Sequence, residues 1–504
     1  MLFRLRPTED RWQVMRRIVV VLASVALALG LLFSGFYSGI SADLRRAAAQ
    51  TASTRPNIVF ILTDDMRKDD LGYMPKTRSL LGGRGMSFEN AFVSNALCAP
   101  SRATIMRGQY SHGNGVWSNS ENDSPSTDAG GWQAYRQKGN EADNVATRLH
   151  GAGYRTGLFG KYINRYANTS DKPRGWDRWF AASAPGSPRY FNYNINDNGT
   201  RRHYGTNYRD YATDVLSRTT NSFIKNSAPR RQPFFAYVAP IAPHAPATPA
   251  PRDVHTYDGL KAPRSPSFDE KDVSDKPPWI RRLPRLARDE VTAIDFRHER
   301  RVESLQAVDD LVRGVVDSLG ASGEARNTYI FFTSDNGFHE GEHRVRKEKW
   351  RPYEEDISVP LLVRGPGVKA GTVTRKMALN TDYLPTFTDL ARTRTPSYAD
   401  GRSLEPVLHG SVTKWRSAVL LEAAASRYSP SYGGVRTIRI GNTPERKYVE
   451  YAGRVRELYG LDLDPYERTN HYTPSSPVAD SLAARLGKLE DCAGDKCFTA
   501  ENKP

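Results

Sequence analysis

Residues Asn57–Thr63 read NIVFILT, a continuous β-branched and aromatic run that stops at two aspartates, Asp64 and Asp65. A run of that kind reads as a strand buried on both faces, as the strands of parallel sheets are. The pattern recurs. Residues 329–333 (YIFFT) end in Ser334, Asp335 and Asn336, residues 234–238 (FFAYV) lead into a proline-rich loop around His244, and 359–363 (VPLLV) form a fourth run. Helical patterns at 143–150 and 303–319 lie between them. Apolar strands alternating with helices predict an α/β domain built on a mostly parallel sheet. Ligands of such sheets bind beyond the carboxyl ends of the strands, which is where these acids, the amide and the histidine fall. Residues 245–290 are rich in proline and charge and read as a surface excursion. Past about residue 400 the pattern changes to short strands at 417–422, 434–440, 447–451 and 456–461, then a helix at 479–489. This predicts a small antiparallel sheet carrying a helix.

The chain of 504 residues is long enough for roughly two or three domains. Its hydrophobic share of 38% and aromatic share of 10% belong to a globular protein and exclude a largely disordered one. The net charge of +16 is spread along the sequence without a long Lys/Arg block, which argues for an acidic substrate or anionic surface over a nucleic-acid arm. Arg4, Arg6, Arg11, Arg16 and Arg17 precede an uncharged apolar run at 18–40. That run is long enough to span a bilayer, and its basic flank places the following chain outside. Ala47–Ala48–Ala49 offers small residues for cleavage but sits well beyond the apolar run, which favours a retained anchor over a cleaved signal. The expected organisation is a signal or anchor at 1–40, a linker at 41–54, a catalytic domain at 55–400, a small α+β subdomain at 401–490 and a tail at 491–504.

Three cysteines rule out a disulfide scaffold or a cysteine-built zinc cluster. Cys492 and Cys497 are close enough to pair, which leaves Cys98 as the odd one in an exported chain. Cys98 opens the stretch Cys98–Ala99–Pro100–Ser101–Arg102, with a helical pattern after it. If a helix starts there, Arg102 returns to the face of Cys98. Asp64, Asp65, Asp335 and Asn336 offer only oxygen donors at the ends of two strands that can be neighbours. Such a set suits Ca²⁺ or Mg²⁺ over zinc.

C-x-P-S-R resembles the signature of the type I sulfatases, whose cysteine is oxidised to formylglycine. Other stretches resemble that family in order: 55–65 its opening strand and acid pair, Gly160–Lys161–Tyr162 its G-K-[WY] motif, Pro243–His244 its P-H motif, and Ser334–Asp335–Asn336–Gly337 its late metal motif. Lys349, Tyr353–Glu354 and VPLLVRGPG (359–367) follow, then Glu457–Leu458–Tyr459 with Asp464–Pro465. Residues 157–166, 190–199, 303–312 and 328–344 are most similar to N-acetylglucosamine-6-sulfatases and bacterial arylsulfatase-like members. The resemblance, over about 55–470, implies an alkaline-phosphatase-like fold: a large, mostly parallel sheet sandwiched by helices, plus a small C-terminal antiparallel-sheet subdomain. It implies hydrolysis of a sulfated sugar or an aryl sulfate, one Ca²⁺ per chain held by Asp64, Asp65, Cys98, Asp335 and Asn336, and a formylglycine-generating enzyme as the maturation partner. Cys98 would be the nucleophile, Arg102 would hold its hydrate, and Lys161, His244 and Lys349 would handle the sulfate, Lys347 standing two residues from Lys349. Many members carry a histidine where this chain has Ile163; His339 and His343 are the candidates to replace it, and either could equally meet the substrate or support from behind the residues that do. The competing readings are a phosphoester or phosphonate-ester hydrolase of the same superfamily, and an exported protein that binds sulfated polymers with Cys98 never converted.

Overall fold

The computed structural model describes residues 55–123, 129–167, 172–183, 189–230 and 232–502. The apolar run at 18–40, its basic flank and the linker at 41–54 lie outside them. Among the described residues no helix is long and apolar enough to cross a membrane.

Ten strands form the large sheet: β1 (Asn57–Thr63), β2 (Met86–Phe88), β3 (Arg155–Gly160), β4 (Arg178–Ala182), β5 (Tyr193–Asp197), β6 (Thr200–Tyr204), β7 (Phe234–Ala239), β8 (Thr328–Ser334), β9 (Leu361–Arg364) and β10 (Thr372–Thr374). Their order is β10-β2-β9-β8-β1-β7-β3-β4-β5-β6. The central five, β8-β1-β7-β3-β4, are all parallel. The expected run at 359–363 appears as β9, which lies antiparallel to β8. Every residue of β1, β7 and β8 is buried, which is why these strands read as unbroken apolar runs. Each fully buried Val, Leu, Ile or Phe side chain contributes about 1.5–3 kcal/mol.

Register decides where the polar ends arrive. Thr63 pairs with Ser334, so Asp64–Asp65 and Asp335–Asn336 leave the sheet side by side. Gly160 pairs with Ala239, which sets Lys161 against the loop that carries His244. Gly160 has φ +105°, and a Cβ there would stand 2.1 Å from the Ala239 carbonyl oxygen. Only glycine permits that approach.

Seven helices matter for the site and its support: α1 (Cys98–Arg107), α2 (Val145–Gly151), α3 (Ala212–Ser227), α4 (Arg288–Ala321), α5 (Tyr383–Leu390), α6 (Pro477–Glu490) and α7 (Asp495–Asn502). The pattern at 303–319 is the C-terminal half of α4. A four-stranded antiparallel sheet, β11 (Ala418–Ala423), β12 (Tyr432–Thr437), β13 (Arg446–Tyr451) and β14 (Arg456–Gly460), follows in sequential order. Its apolar face joins the cluster that also holds Phe60 and Tyr237 of the large sheet. Its polar side reaches the loop at 343–357. Tyr353 Oη donates to Glu457 Oε1 at 2.8 Å, and Glu354 pairs with Lys447 and Arg436, each at 3.3 Å. The stretch assigned to the tail contains α7, where Glu501 is fully buried and pairs with Arg402 at 2.6 Å and Arg416 at 3.1 Å. Cys492 and Cys497 form a disulfide, and Cys98 is a buried free thiol.

Candidate active site

Cys98 occupies the first turn of α1, and every residue from Cys98 to Met106 is buried. The first-turn amide of Ala99 donates to Asn119 Oδ1 at 2.8 Å. The Cys98 Sγ lies 3.4 Å from Asp64 Oδ1 and 3.7 Å from Asp65 Oδ1, with Lys349 Nζ at 2.8 Å. One helical turn on, Arg102 Nε donates to Asp335 Oδ2 at 2.8 Å and Nη1 to the Lys161 carbonyl at 3.1 Å. The expectation that α1 returns Arg102 to the face of Cys98 is met.

The carboxylates are tied to one another and to the lysines. Lys161 Nζ donates to Asp64 Oδ2 at 2.6 Å, Lys349 pairs with Asp65, and the Asp65 amide donates to Asp335 Oδ1 at 3.1 Å. Asn336 Nδ2 donates to Asp65 Oδ1 at 2.8 Å. Asp65 sits at φ +65°, a left-handed conformation that non-glycine residues adopt at a cost. Arg301 Nη2 holds it there by donating to the Asp65 carbonyl at 2.8 Å.

Burial would raise the Asp64 carboxyl, but Lys161, His244 and Arg102 outweigh it and hold the group far below its ordinary range. Burial opposes ionisation of Asp65 too, and there Lys349 and His244 prevail. Burial pushes the Cys98 thiol well up, against the pull of Lys161 and Lys349. As a cysteine, residue 98 is therefore held as a thiol and not as the nucleophilic thiolate.

His244 Nδ1 lies 2.7 Å from the Ala245 carbonyl oxygen, which makes Nδ1 the protonated nitrogen. Its Nε2 points inward, 3.7 Å from Asp65 Oδ2. The Tyr190 hydroxyl steadies the loop by donating to the His244 carbonyl at 2.8 Å. Asp65, His244 and Lys349 open into a cleft of about 760 Å³ whose walls include Asn119, Trp350 and Tyr428.

The residues fit a hard cation. Ligand atoms of Asp64, Asp65, Cys98 and His244 lie within 4.8 Å of one another. Beside them, Asn336 Oδ1 is buried without a hydrogen-bond partner among the described residues. An orphaned amide oxygen costs free energy unless something positive meets it.

His339 and His343 stand apart from this group. Both are fully buried, and neither lines the cleft. His339 Nδ1 is 2.7 Å from Asp356 Oδ1. His343 Nδ1 is 2.7 Å from Glu270 Oε2, and its ring packs on Tyr353 at 4.4 Å. The structure thus brings Cys98, Arg102, Lys161, His244, Lys349, Asp64, Asp65, Asp335 and Asn336 together and leaves these two histidines in the wall behind. Ile163 is buried in the apolar cluster. Lys347 is exposed on the cleft rim, and Lys349 is the lysine that reaches Cys98. Asn119, Tyr190, Arg301, Trp350 and Tyr428 were not singled out from sequence. Asn119 lies in a polar stretch, WSNSEND, that offers a faint signal, and the others offer none.

A family model described as Sulfatase matches residues 56–393, and one described as N-sulphoglucosamine sulphohydrolase, C-terminal, matches 341–491. The N-acetylglucosamine-6-sulfatase of Homo sapiens is 34% identical over 488 residues, covering 88% of this chain and 86% of the relative. The arylsulfatase of Volvox carteri is 31% identical, covering 89% and 76%. A solved structure of a protein in complex with its substrate D-glucosamine-2-N,6-O-disulfate superposes with a TM-score of 0.73 at 23% identity, over 88% of this chain and 98% of that one. Its architecture is the alkaline-phosphatase-like one described above. The acid pair, the buried thiol and the lysines around it all fall inside the stretch that the first model matches, and the chain belongs to the sulfatase family of sulfuric ester hydrolases.

Proposed function

We propose that this sulfatase removes sulfate from a sugar ester of the N-acetylglucosamine-6-sulfate kind, with aryl sulfates as simpler substrates, through formylglycine hydrate at position 98. The observation that carries the reading is the meeting of residue 98 with Asp64, Asp65 and Lys349 in one buried group. The thiol held protonated there supports conversion of Cys98, because an unconverted cysteine would be a poor nucleophile. The similarity to N-acetylglucosamine-6-sulfatase supports the sugar, and the basic charge balance suits an anionic glycan. Asp64, Asp65, Asp335, Asn336 and residue 98 would hold one divalent cation, calcium by the chemistry of the donors. When bound it supplies Lewis acidity that lowers the pKa of the hydroxyl at position 98.

One hydroxyl of the hydrate attacks sulfur, and the alcohol leaves with its own oxygen. The second hydroxyl then loses its proton, the bond to the sulfate oxygen breaks, and the aldehyde reforms as sulfate departs. Water restores the hydrate. Arg102 orients the hydrate, while Lys161 and Lys349 face the charge that builds on the ester, the preorganised electrostatics that dominate such sites. With Nδ1 committed to Ala245, His244 gives a proton to the leaving oxygen from Nε2 as the imidazolium. Export of the catalytic domain and maturation by a formylglycine-generating enzyme complete the proposal.

The test is a peptide mass across 98–102 together with turnover by Cys98→Ala. Active protein should show cysteine replaced by formylglycine, and the alanine variant should be inactive yet folded. Substantial multiple turnover by Cys98→Ala would end the mechanism. A phosphate ester of the same alcohol turned over faster than the sulfate would favour the phosphoester reading.

A further inference from the structure

A second cavity, of about 790 Å³, opens beside the catalytic group. Gly160 at its edge immediately precedes Lys161. Ile241 and Pro246 line it, whereas His244 and Ala245, between them in sequence, line the catalytic cleft. One short loop is therefore the wall between the two spaces. The floor is apolar, from Phe180, Val215 and Leu216, and the rim carries Arg189, Arg201 and His203.

The rim follows from strand geometry. In β6, TRRHY, alternate side chains point to opposite faces, so Arg201 and His203 face the cavity together while Arg202 faces away. Arg202 pairs with Asp197 at 2.5 Å. Among the described residues neither Arg189 nor Arg201 has an ion-pair partner, and no Asp or Glu lines the cavity. Of the acids nearby, Asp197 is engaged by Arg178 and Arg202, Asp214 by Arg252 at 2.7 Å, and Asp210 accepts from the Gly205 amide at 3.1 Å. An apolar floor alone would suit the faces of sugar rings or any greasy ligand. Two unpaired guanidiniums beside an imidazole, with no compensating acid, select an anion.

We propose that this cavity is an accessory subsite that binds an acidic group on a neighbouring sugar of the same glycan, so that the preferred substrate is a polyanionic chain and not a free monosaccharide. The inference rests on the sugar-sulfatase reading above and deepens it. Gly160 lines the cavity and the loop at 241–246 is its wall towards the catalytic cleft, so a glycan chain whose scissile sulfate is in the cleft would reach the cavity by crossing that loop.

The experiment compares wild-type protein with Arg189→Ala/Arg201→Ala on four substrates. These are an aryl sulfate, a 6-sulfated N-acetylglucosamine, an octasaccharide whose only charge is the scissile sulfate, and a polysulfated octasaccharide. Wild-type kcat/KM should favour the polysulfated octasaccharide over the monosaccharide by about tenfold, the lower end of electrostatic steering. That advantage should fade with added salt. The double variant should lose it while matching wild type on the other three. Both arginines are exposed, so the fold should survive, and a melting curve checks it. Arg201→Glu should reverse the preference. Equal preference in wild type and double variant, or none in wild type while sugar sulfates are hydrolysed, overturns the subsite alone. Turnover of the aryl sulfate with no sugar hydrolysed overturns the sugar reading itself. A Cys98→Ala protein titrated with the polysulfated octasaccharide reads binding without turnover, and undiminished affinity after removing both arginines would also sink the subsite.

Discussion

At the scale of single residues, His244 has the most discriminating consequence. An aryl oxide leaves without a proton, whereas a sugar alkoxide needs one. His244→Ala should therefore cost on the order of 10²–10⁴-fold on a sugar sulfate and far less on an activated aryl sulfate. Equal losses on both would make His244 a binding residue. The cation site gives a second expectation: a chelator should abolish turnover and lower the melting temperature, because an ion bound only by the folded state stabilises it. Metal analysis finding zinc alone in active protein would defeat the oxygen-donor assignment. Cys98, Arg102, Asp64 and Asp335 were legible in the sequence because their spacing is local, one helical turn in one case and a strand end in the others. Arg301 and Tyr190 were not, since each acts on a backbone carbonyl far away in sequence. Of the two readings open for His339 and His343, the structure favours support from behind the site over contact with substrate. They are near Asp335–Asn336 along the chain, but the loop turns them inward onto Asp356 and Glu270.

At the scale of elements, α4 shows what patterning can and cannot reveal. Its second half carries a regular apolar stripe and was read correctly, while its first half, RDEVTAIDFRHERR, is charged and hid the helix. Two of those charged residues are buried for a purpose. His298 Nδ1 lies 2.7 Å from Glu340 Oε2, and Arg301 pairs with Asp70 at 3.0 Å and Glu340 at 3.3 Å. Asp70, His298 and Glu340 have the spacing of a metal site, but the Arg301 guanidinium already supplies the positive charge. Through Arg301 the helix ties the loop after β1 to the loop after β8, the two that carry the proposed ligands. Arg301→Met should cost about 3–5 kcal/mol by stranding buried acids. It should also weaken calcium binding, because Asp65 loses the donor that holds its carbonyl. A calcium titration of the folded variant that matches wild type would reduce Arg301 to a stability role. The strands β5 and β6 at one edge of the sheet escaped the sequence reading too, since YNIND and TRRHY lack the continuous apolar runs of β1, β7 and β8.

For the whole molecule, buried histidines predict how stability follows pH. Burial pushes His339 down to about 3 and His343 down to about 4, against an ordinary value near 6.5. The unfolded chain binds those protons more readily, so the contribution is present above pH 6.5 and is lost as pH falls towards 4. Between pH 6.5 and 5 each ring should cost roughly 2 kcal/mol. His112 has the opposite sign. Burial opposes its charge, but the hydrogen bond it donates to the Glu422 carboxylate wins and raises it to about 9. Its contribution is complete below pH 6.5 and disappears as pH rises through 9. Melting temperatures measured from pH 4.5 to 9.5 should peak near neutrality and fall more steeply on the acid side. A monotonic rise towards low pH would contradict the burial of His339 and His343. The burial of position 98 has a consequence of another kind, one of timing. Cys98 has no exposed surface, and the helix it starts is enclosed through Met106. On the proposed mechanism, an enzyme that converts this thiol would have to act before α1 packs. A molecule that folded first would keep an unconverted thiol. The active fraction of a preparation would then be the outcome of a race between oxidation and folding, and a variant that folds faster would be the poorer catalyst.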